Sequence, residues 1–558
     1  MTADPVDAIN MQGALALQRG DAEGARSHFE RAVRMAPSSP DSHNNLGVAL
    51  QQLHRWDEAL AAFSRAVAID PSFSDAWFNR GVIAGALGRW DEALASYGRA
   101  LQIQPRNPRY LNNAGNALQK MRRWNDALGA YQAAIAARPD YVEALVNRGV
   151  VLRELRRREE AVASFDAALA LRPDHAEAWN NRAVALRELN RWEESAASAR
   201  RALGLKPGYP EALNNLGFAL HDLGRFEESR AAYEQALAAR PGYPEAQWNL
   251  ALLHLLLGDY RRGWELFEAR WKTEDIAPFE RRFAQPLWLG RESLEGRTIL
   301  VHAEQGLGDM IQFSRFLEPL ARRAGHVIFE APRVLAPLMA ASFPSVEVVE
   351  VHTNRSPFDC HTPLASLPLA FATTLETIPG GSAYLHPGEE ARRKWRGKLR
   401  PRTRPRIGLA WAGNPAQRND HNRSMPFERL LPLLELDLEF HSLQKAVPER
   451  DRAALAQRGD LVTWGDELAD FSDTAALVLE LDLVISVDTS AAHLSGALGQ
   501  RTWIPLAWRA DYRYLLDRDD SPWYPTARLF RQPRPGAWDE VVARIKAELL
   551  AAKWEPSH

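Results

Sequence analysis

The run LVISVDTSAAHLSGALG (483–499) places an aspartate, two hydroxyls and a histidine where a buried strand passes into a helix. Backbone N–H groups in the first turn of a helix have no intrahelical acceptor, and the helix dipole favours an anion there. Asp488 closes the strand, Thr489 and Ser490 add hydroxyl donors, and His493 shares the helix face of Thr489. Together they form a candidate diphosphate cradle. The same residues also suit a simple N-cap, with His493 packed inside. A second set lies in HAEQGLGDMIQF (302–313). Gly306 and Gly308 permit a tight turn and close approach of backbone to a ligand. Asp309 stands at a strand–helix junction, where open α/β sheets hold ligands, and its carboxylate could take the proton of an acceptor hydroxyl. Asp309 and Gln312 also read as a capping box. The third set is the polar loop WAGNPAQRNDHNRSMPF (411–427) with HSLQK (441–445). Arg423 and Lys445 are candidates to neutralise a departing phosphate, and Gln444 lies beside them on the donor side. A base candidate followed by cations and an anion-binding helix suits transfer of a group from a nucleotide donor across a cleft.

Such residues need strands that end in loops on one edge of a sheet. After Arg297, short β-rich runs alternate with amphipathic stretches, which predicts an α/β region with parallel strands. Strands are expected at 298–303, 326–332 and 346–351, then at 406–413, 440–444, 483–488 and 501–507. The basic stretch ARRKWRGKLRPRTRPR (391–406) separates the two sets. This predicts two Rossmann-like lobes facing a cleft, at 298–405 and 406–558, closed by a helix over about 537–552. The acidic run LDRDD (516–520) reads as a solvated loop.

The N-terminal half obeys a different grammar, with a period of 34 residues. Proline recurs at 37, 71, 105, 139, 173, 207 and 241. Asparagine recurs at Asn45, Asn79, Asn113, Asn147, Asn181, Asn215 and Asn249. An aromatic keeps step at Trp56, Trp90, Trp124, Trp192, Phe226 and Tyr260, and a glycine or alanine at 47, 81, 115, 149, 183, 217 and 251. The pattern resembles the tetratricopeptide repeat, two antiparallel helices per unit. One such unit cannot bury its apolar face alone, so stacked units build a continuous superhelical core. A degenerate first unit (6–39) and seven clearer ones predict an α-solenoid over 1–272, followed by a linker or docking segment, 273–297, ordered by Phe279, Phe283, Trp288 and Leu289. A side-chain amide both donates and accepts, so an asparagine ladder can grip an extended peptide whatever its side chains. It can equally bond its own helix or the neighbouring repeat. The aromatics read as core.

A chain of 558 residues predicts at least two domains. With 46% apolar and 25% charged residues and a net charge of -2, no excess points to nucleic acid. Cys360 is the sole cysteine, the N-terminus lacks a basic start and apolar run, and no apolar stretch approaches a membrane span. These features predict a cytoplasmic protein with no integral membrane segment.

Residues 298–550 resemble the GT-B glycosyltransferases, within them the family-9, heptosyltransferase-like group. The resemblance is carried by G-L-G-D-M-I at 306–311, R-S-M-P at 423–426 and V-D-T-S-A-A-H-L at 487–494. It implies Asp309 as catalytic base, Arg423 facing donor phosphate, and Asp488, Thr489 and His493 on the nucleotide-sugar side. It also implies inverting, metal-independent chemistry, with a nucleotide-sugar as co-substrate and no cofactor. No His/Cys cluster or carboxylate pair has metal-ligand spacing. Repeats fused to such a domain are similar in plan to O-linked N-acetylglucosaminyltransferase and to flagellin-modifying glycosyltransferases. That plan implies a protein acceptor, flagellin among the candidates, held by the repeats. Two other readings stay open: transfer to a lipid-linked or polysaccharide acceptor, with 391–406 as the membrane-facing patch, and a repeat scaffold whose GT-B domain is retired.

Overall fold

A computed structural model describes residues 5–304, 306–353, 355–381, 383–415 and 420–554. The acidic start of the chain, Gln305 of the glycine-rich turn, and residues 416–419 of the polar loop lie outside them. The chain divides into two compact units after Arg240.

The first unit is a solenoid of paired helices, from Pro5–Gln18 and Ala22–Met35 to Pro210–Asp222 and Phe226–Ala239. The periodic prolines stand two residues past the end of each second helix, as Pro71 does after Ile69. A ring without an N–H and with fixed φ cannot continue a helix. Within each pair the turn needs one residue in the left-handed region. It is Gly88 or Gly224 in some units (φ 73 and 75), but His54, Arg122, Arg156 or Asn190 in others. The periodic small residue has a packing cause. A Cβ on Gly149 would fall 2.5 Å from the ring of fully buried Phe165, and one on Gly115 2.6 Å from Tyr131. Alanine appears at 183, where the residue sixteen positions on is Ala199 rather than an aromatic, and at 251, where Phe267 sixteen positions on packs against Trp264 and Tyr512. Trp56, Trp90 and Trp124 are half-buried against the solenoid core, as expected.

The second unit starts with the last repeat, Pro244–Leu256 and Tyr260–Phe267. Its second helix turns Tyr260, Trp264 and Phe267 against Phe313, Tyr512 and Trp523, ring to ring. The indole N–H of Trp523 donates to Tyr260 Oη at 2.8 Å. This repeat is thus part of the body that carries the sheets. The segment after it is ordered in part as expected: Trp288 is buried, its N–H donates to the His361 carbonyl at 2.8 Å, and His361 N–H donates to Pro286 at 3.0 Å. Phe279, expected to anchor it, is instead 53% exposed.

Two parallel sheets follow. The first holds β1 (Thr298–His302), β2 (His326–Ala331), β3 (Glu347–Glu350) and β4 (Cys360–Pro363) in the order β3-β2-β1-β4. The second holds β5 (Arg406–Ala410), β6 (Glu439–Ser442), β7 (Leu461–Thr463), β8 (Leu483–Ser486), β9 (Thr502–Leu506) and β10 (Ala527–Arg531), in the order β10-β9-β8-β5-β6-β7. All pairings are parallel. β4, β7 and β10 were not among the expected strands. β4 reads CHTP and β7 has three residues, too short and too polar to show a period of two. In both sheets the strand order reverses beside the first strand, so the chain leaves a crevice between the carboxyl ends of β1 and β4, and of β5 and β8. The closing helix is Trp538–Ala551.

The basic stretch between the sheets forms the helix Glu389–Lys398 and an extended return to β5. Its indole, Trp395, is buried, and its charges pair within the unit. Lys394 meets Asp473 at 2.6 Å, Lys398 meets Glu467 at 2.5 Å, Arg396 meets Glu480 at 3.1 Å, and Arg402 pairs with Asp482. The sole candidate for a membrane-facing patch is therefore largely neutralised by its own fold. Among the described residues, no helix is long and apolar enough to cross a membrane.

Candidate functional site

The chain leaves β1 through a turn at Gly306, whose φ of 96 admits glycine, and enters the helix Leu307–Phe313. A Cβ at Gly306 would also lie 2.3 Å from an Asp309 carboxylate oxygen. Asp309 is the third residue of this helix, not its cap, so the capping-box reading does not hold. Gln312 is buried, and its amide oxygen accepts from Arg513 Nε. The Arg513 guanidinium, 10% exposed, also pairs with Asp309 and sits 2.7 Å from Asp511. Asp309 keeps 39% of its side chain in solvent.

β8 ends beside this cluster, and the helix Ser490–Ala497 begins with Thr489 in the cap position. Among the described residues no side chain caps that helix; Thr489 Oγ1 lies 3.0 Å from Ser486 Oγ instead. Its first-turn amides consequently keep their capacity to bind a ligand, and the N-cap reading of Thr489 fails. Tyr514 Oη donates to Asp488 at 2.7 Å, and His493 Nε2 lies 3.5 Å from the same oxygen. His493 is buried, as its packing reading required, with Nδ1 2.8 Å from Tyr524 Oη. Burial opposes the Asp488 charge, but the His493 bond, the charges of His493 and Arg513, and the Tyr514 hydroxyl outweigh it. They hold this carboxyl well below the usual range. Asp511 behaves oppositely, because burial raises its pKa more than Arg513 lowers it.

Gly308 explains how two motifs some 180 residues apart in sequence come together. A Cβ there would stand 2.7 Å from the His493 ring, so only glycine lets the helix after β1 lie directly on the helix after β8. Gly306, Gly308, Asp309, Asp488, Thr489, Ser490 and His493 thus share one neighbourhood. The remaining donor-side candidates lie after β5 and β6. Arg423 sits over Gly413, where a Cβ would be 2.6 Å from its guanidinium, and its Nε is 3.4 Å from Asp420. Gln444 turns its amide onto backbone: its oxygen accepts from Trp411 and Ala412 N–H at 3.2 and 3.1 Å, and its nitrogen donates to Ala412 and Ala446 carbonyls at 3.0 Å. Lys445 Nζ donates to the Leu468 carbonyl at 2.6 Å and to Ala469 at 3.1 Å. Among the described residues, neither Gln444 nor Lys445 is bonded to the Asp309–Arg513 cluster.

The asparagine ladder makes the contacts its structural reading predicted. Asn79 donates to Asn44 at 3.0 Å, Asn147 to Asn112 at 3.1 Å, and Asn215 to Asn180 at 2.8 Å, each reaching the previous repeat. Asn113 donates to its own helix at Arg109, 2.9 Å away. Asn45, Asn181 and Asn249 are half-buried at the equivalent positions.

The residues sequence reading missed are Arg513, Asp511, Tyr514 and Tyr524, together with Arg270 and Glu304. The first three stand in DYRY, just ahead of the acidic run that was read as solvated loop. Arg270 follows the last repeat helix, is 2% exposed, and forks onto Glu304 at 2.9 and 3.0 Å. It also bonds Glu268 at 2.6 Å and Ser366 at 2.8 Å. Burial works against its charge, but the two glutamates hold Arg270 above the ordinary arginine value. Glu304 belongs to the loop that delivers Asp309, so the repeat-derived segment braces that loop.

A second polar cluster lies at the same edge of the first sheet. His302 and His361 touch at 3.3 Å, and buried Glu330 pairs with Arg281 and, at 2.5 Å, Arg355. Burial, helped by His361 and Arg281, pushes His302 down to about 3 from 6.5. The unfolded chain therefore binds this proton across that window while the folded chain does not, so stability falls as pH drops below 6.5. From pH 6.5 to 5 the loss from one such group is about 2 kcal/mol. Urea midpoints of wild type and His302→Gln at pH 7 and 5 test it: the variant should lose less on acidification, with a residual slope from His361, itself lowered by burial. An equal loss in both proteins would remove His302 from the acid response.

Comparison with known proteins supports the repeat architecture. A tetratricopeptide-repeat family model matches residues 10–72, 45–108, 112–162 and 151–210, and a second TPR model matches 219–258. The N-terminal region of the chain is therefore an array of tetratricopeptide repeats, a module that typically binds protein partners. Protein FlbA of Caulobacter vibrioides is 28% identical over 326 residues, 54% of this chain and 54% of that protein. The chain thus spans about half the length of this curated relative. Among solved structures, YrrB, described as a TPR protein with an unusual peptide-binding site, is 23% identical with a TM-score of 0.30, covering 33% of this chain and 95% of its own. PilF of Pseudomonas aeruginosa is 21% identical with a TM-score of 0.34, covering 37% and 95%.

Proposed function

We propose that the second unit is a GT-B glycosyltransferase that moves a sugar from a nucleotide-sugar to a hydroxyl of a protein presented by the repeats. The observation that carries this reading is the meeting of Asp309, from the crevice of the first sheet, with Asp488, His493 and an uncapped helix start from the crevice of the second. Two parallel sheets with the same reversal of strand order support a two-lobed site. In the proposed reaction Asp309 removes the proton of the acceptor hydroxyl, and that oxygen forms a bond to the anomeric carbon. The bond from that carbon to the diphosphate breaks, and its electron pair leaves on the phosphate oxygen. The helix start at Thr489–Ser490, with Arg423, stabilises the departing charge. No cofactor is needed for these steps.

The pairing of the 391–406 basic stretch takes away the feature that favoured a lipid-linked acceptor. A protein acceptor is the better reading, and flagellin is the one to try first, on the likeness in plan to flagellin-modifying enzymes. The test measures binding of UDP-, GDP-, ADP- and CMP-sugars, then transfer to a candidate acceptor. One donor should bind selectively and be turned over. Replacing Asn79, Asn147 and Asn215 with alanine together should weaken the acceptor by about tenfold and leave donor affinity unchanged. Binding of no donor would return the chain to a repeat scaffold. Unchanged acceptor affinity would restrict the ladder to its contacts between repeats.

A further inference from the structure

We propose that Asp309 and the donor's diphosphate compete for one guanidinium, that of Arg513, so that donor binding is what releases the base. The inference rests on the glycosyltransferase reading above and adds the residue that links its two half-sites. Arg513 reaches across from the turn Tyr512–Tyr514, which follows β9 and bonds Asp488 through Tyr514, to the helix that carries Asp309. Its three nitrogens are committed to Gln312, Asp309 and Asp511. The Asp488 carboxylate, at the uncapped helix start, also lies within its electrostatic reach. One guanidinium therefore stands among three carboxylates, next to the place where a diphosphate would dock.

Two consequences follow from that charge arrangement. While Arg513 stays on Asp309, the guanidinium occupies the carboxylate oxygen that would otherwise receive the proton of an acceptor hydroxyl. A diphosphate matches the planar fork of arginine in two hydrogen bonds, and it brings more charge than one carboxylate. It can draw the guanidinium away from Asp309, which faces solvent, while Gln312 and Asp511 continue to anchor the side chain. The exchange leaves the Asp309 carboxylate without its guanidinium partner at the moment the acceptor hydroxyl arrives. It also discourages proton abstraction before the donor is in place.

The exchange makes a counterintuitive prediction for binding. Asp309→Asn removes the competitor, so UDP, GDP or inorganic pyrophosphate should bind about tenfold more tightly than to wild type. Arg513→Gln should weaken the same ligands by tenfold or more, about one full arginine–phosphate contact. In the double variant the gain from Asp309→Asn should vanish, because the two residues act through one contact. Isothermal titration of the full-length chain and its three variants reads all four corners. Arg513→Lys, which keeps the cation but not the fork, serves where the glutamine variant does not fold, and should retain only part of the gain. Affinity that Asp309→Asn leaves unchanged or lowers would overturn the exchange and leave the glycosyltransferase reading standing. So would an equal gain with and without Arg513, which would mean plain repulsion. Binding of no diphosphate to any of the proteins would overturn both.

Discussion

Asp309→Ala should lower the rate of sugar transfer at saturating donor by about 10²- to 10⁴-fold, the range general-base catalysis supplies. The loss should fall on kcat, because the role proposed for this carboxylate is to take the acceptor proton and not to hold the nucleotide. Nucleoside-diphosphate affinity should not fall with it. Folding should be little affected, since the side chain is partly in solvent and buried Arg513 keeps Asp511 and Gln312 as partners when it is removed. Three measurements on one variant thus separate its possible roles. A kcat that stays above about a tenth of wild type would take Asp309 out of the chemistry. A matched loss of donor affinity would make it a binding residue. A lowered melting temperature would make it a structural one. Asp488→Asn is a useful contrast: this carboxylate is already bonded to Tyr514 and near His493, so its loss should disturb the second crevice rather than the proton transfer.

The second large effect is expected at Arg270. Replacing it with leucine leaves Glu304 and Glu268 near each other with no cation, both largely buried. Breaking a buried pair from one side costs about 3–5 kcal/mol, because the remaining charge has neither water nor partner. That is a large share of the stability of a typical domain, so the second unit should unfold at clearly lower urea. The damage should also reach the site, because Glu304 sits in the loop between β1 and Asp309 and accepts from Ala365 N–H at 2.9 Å. Urea unfolding of wild type, Arg270→Leu and the double variant Arg270→Leu/Glu304→Leu measures the coupling. The double variant should recover part of the loss, since it removes one of the two stranded charges and leaves Glu268 with the Ser366 hydroxyl. Equal losses in both would mean that the apolar packing of Arg270 against Phe267 and Trp271, and not its charge, is what holds the segment.

The repeats were legible because each carries its own local signals at a fixed distance. Proline two residues past a helix, glycine facing the aromatic sixteen positions on, and a left-handed turn residue all act within one unit. Such signals need no knowledge of distant residues. β1, β2, β5, β8 and β9 were legible for a similar reason, being apolar runs buried on both faces. Cys360–Pro363 is a strand only because β1 stands beside it, and no periodicity of its own marks it.

The site divides along the same line. Asp309, Asp488 and His493 stood out because strand-to-helix junctions have a recognisable grammar, and their chemistry was read from residue type and position. The two capping readings looked equally sound in sequence and were decided by tertiary structure. Asp309 meets Arg513 from 204 residues away, and Thr489 turns to Ser486 instead of its own helix. Arg513, Arg270 and Glu304 carried no sequence signal, since an arginine in a loop looks like any surface charge until folding buries it beside a particular carboxylate. The sequence by itself determined the solenoid, the parallel α/β character of the rest and which motifs end strands, because those are properties of short segments. Tertiary structure alone decided which charges pair, that the last repeat belongs with the sheets, and that the Arg513 guanidinium from beyond β9 meets the helix after β1. Electrostatic partnership depends on distance in space and on exclusion of water, and neither is written in the spacing of residues along a chain.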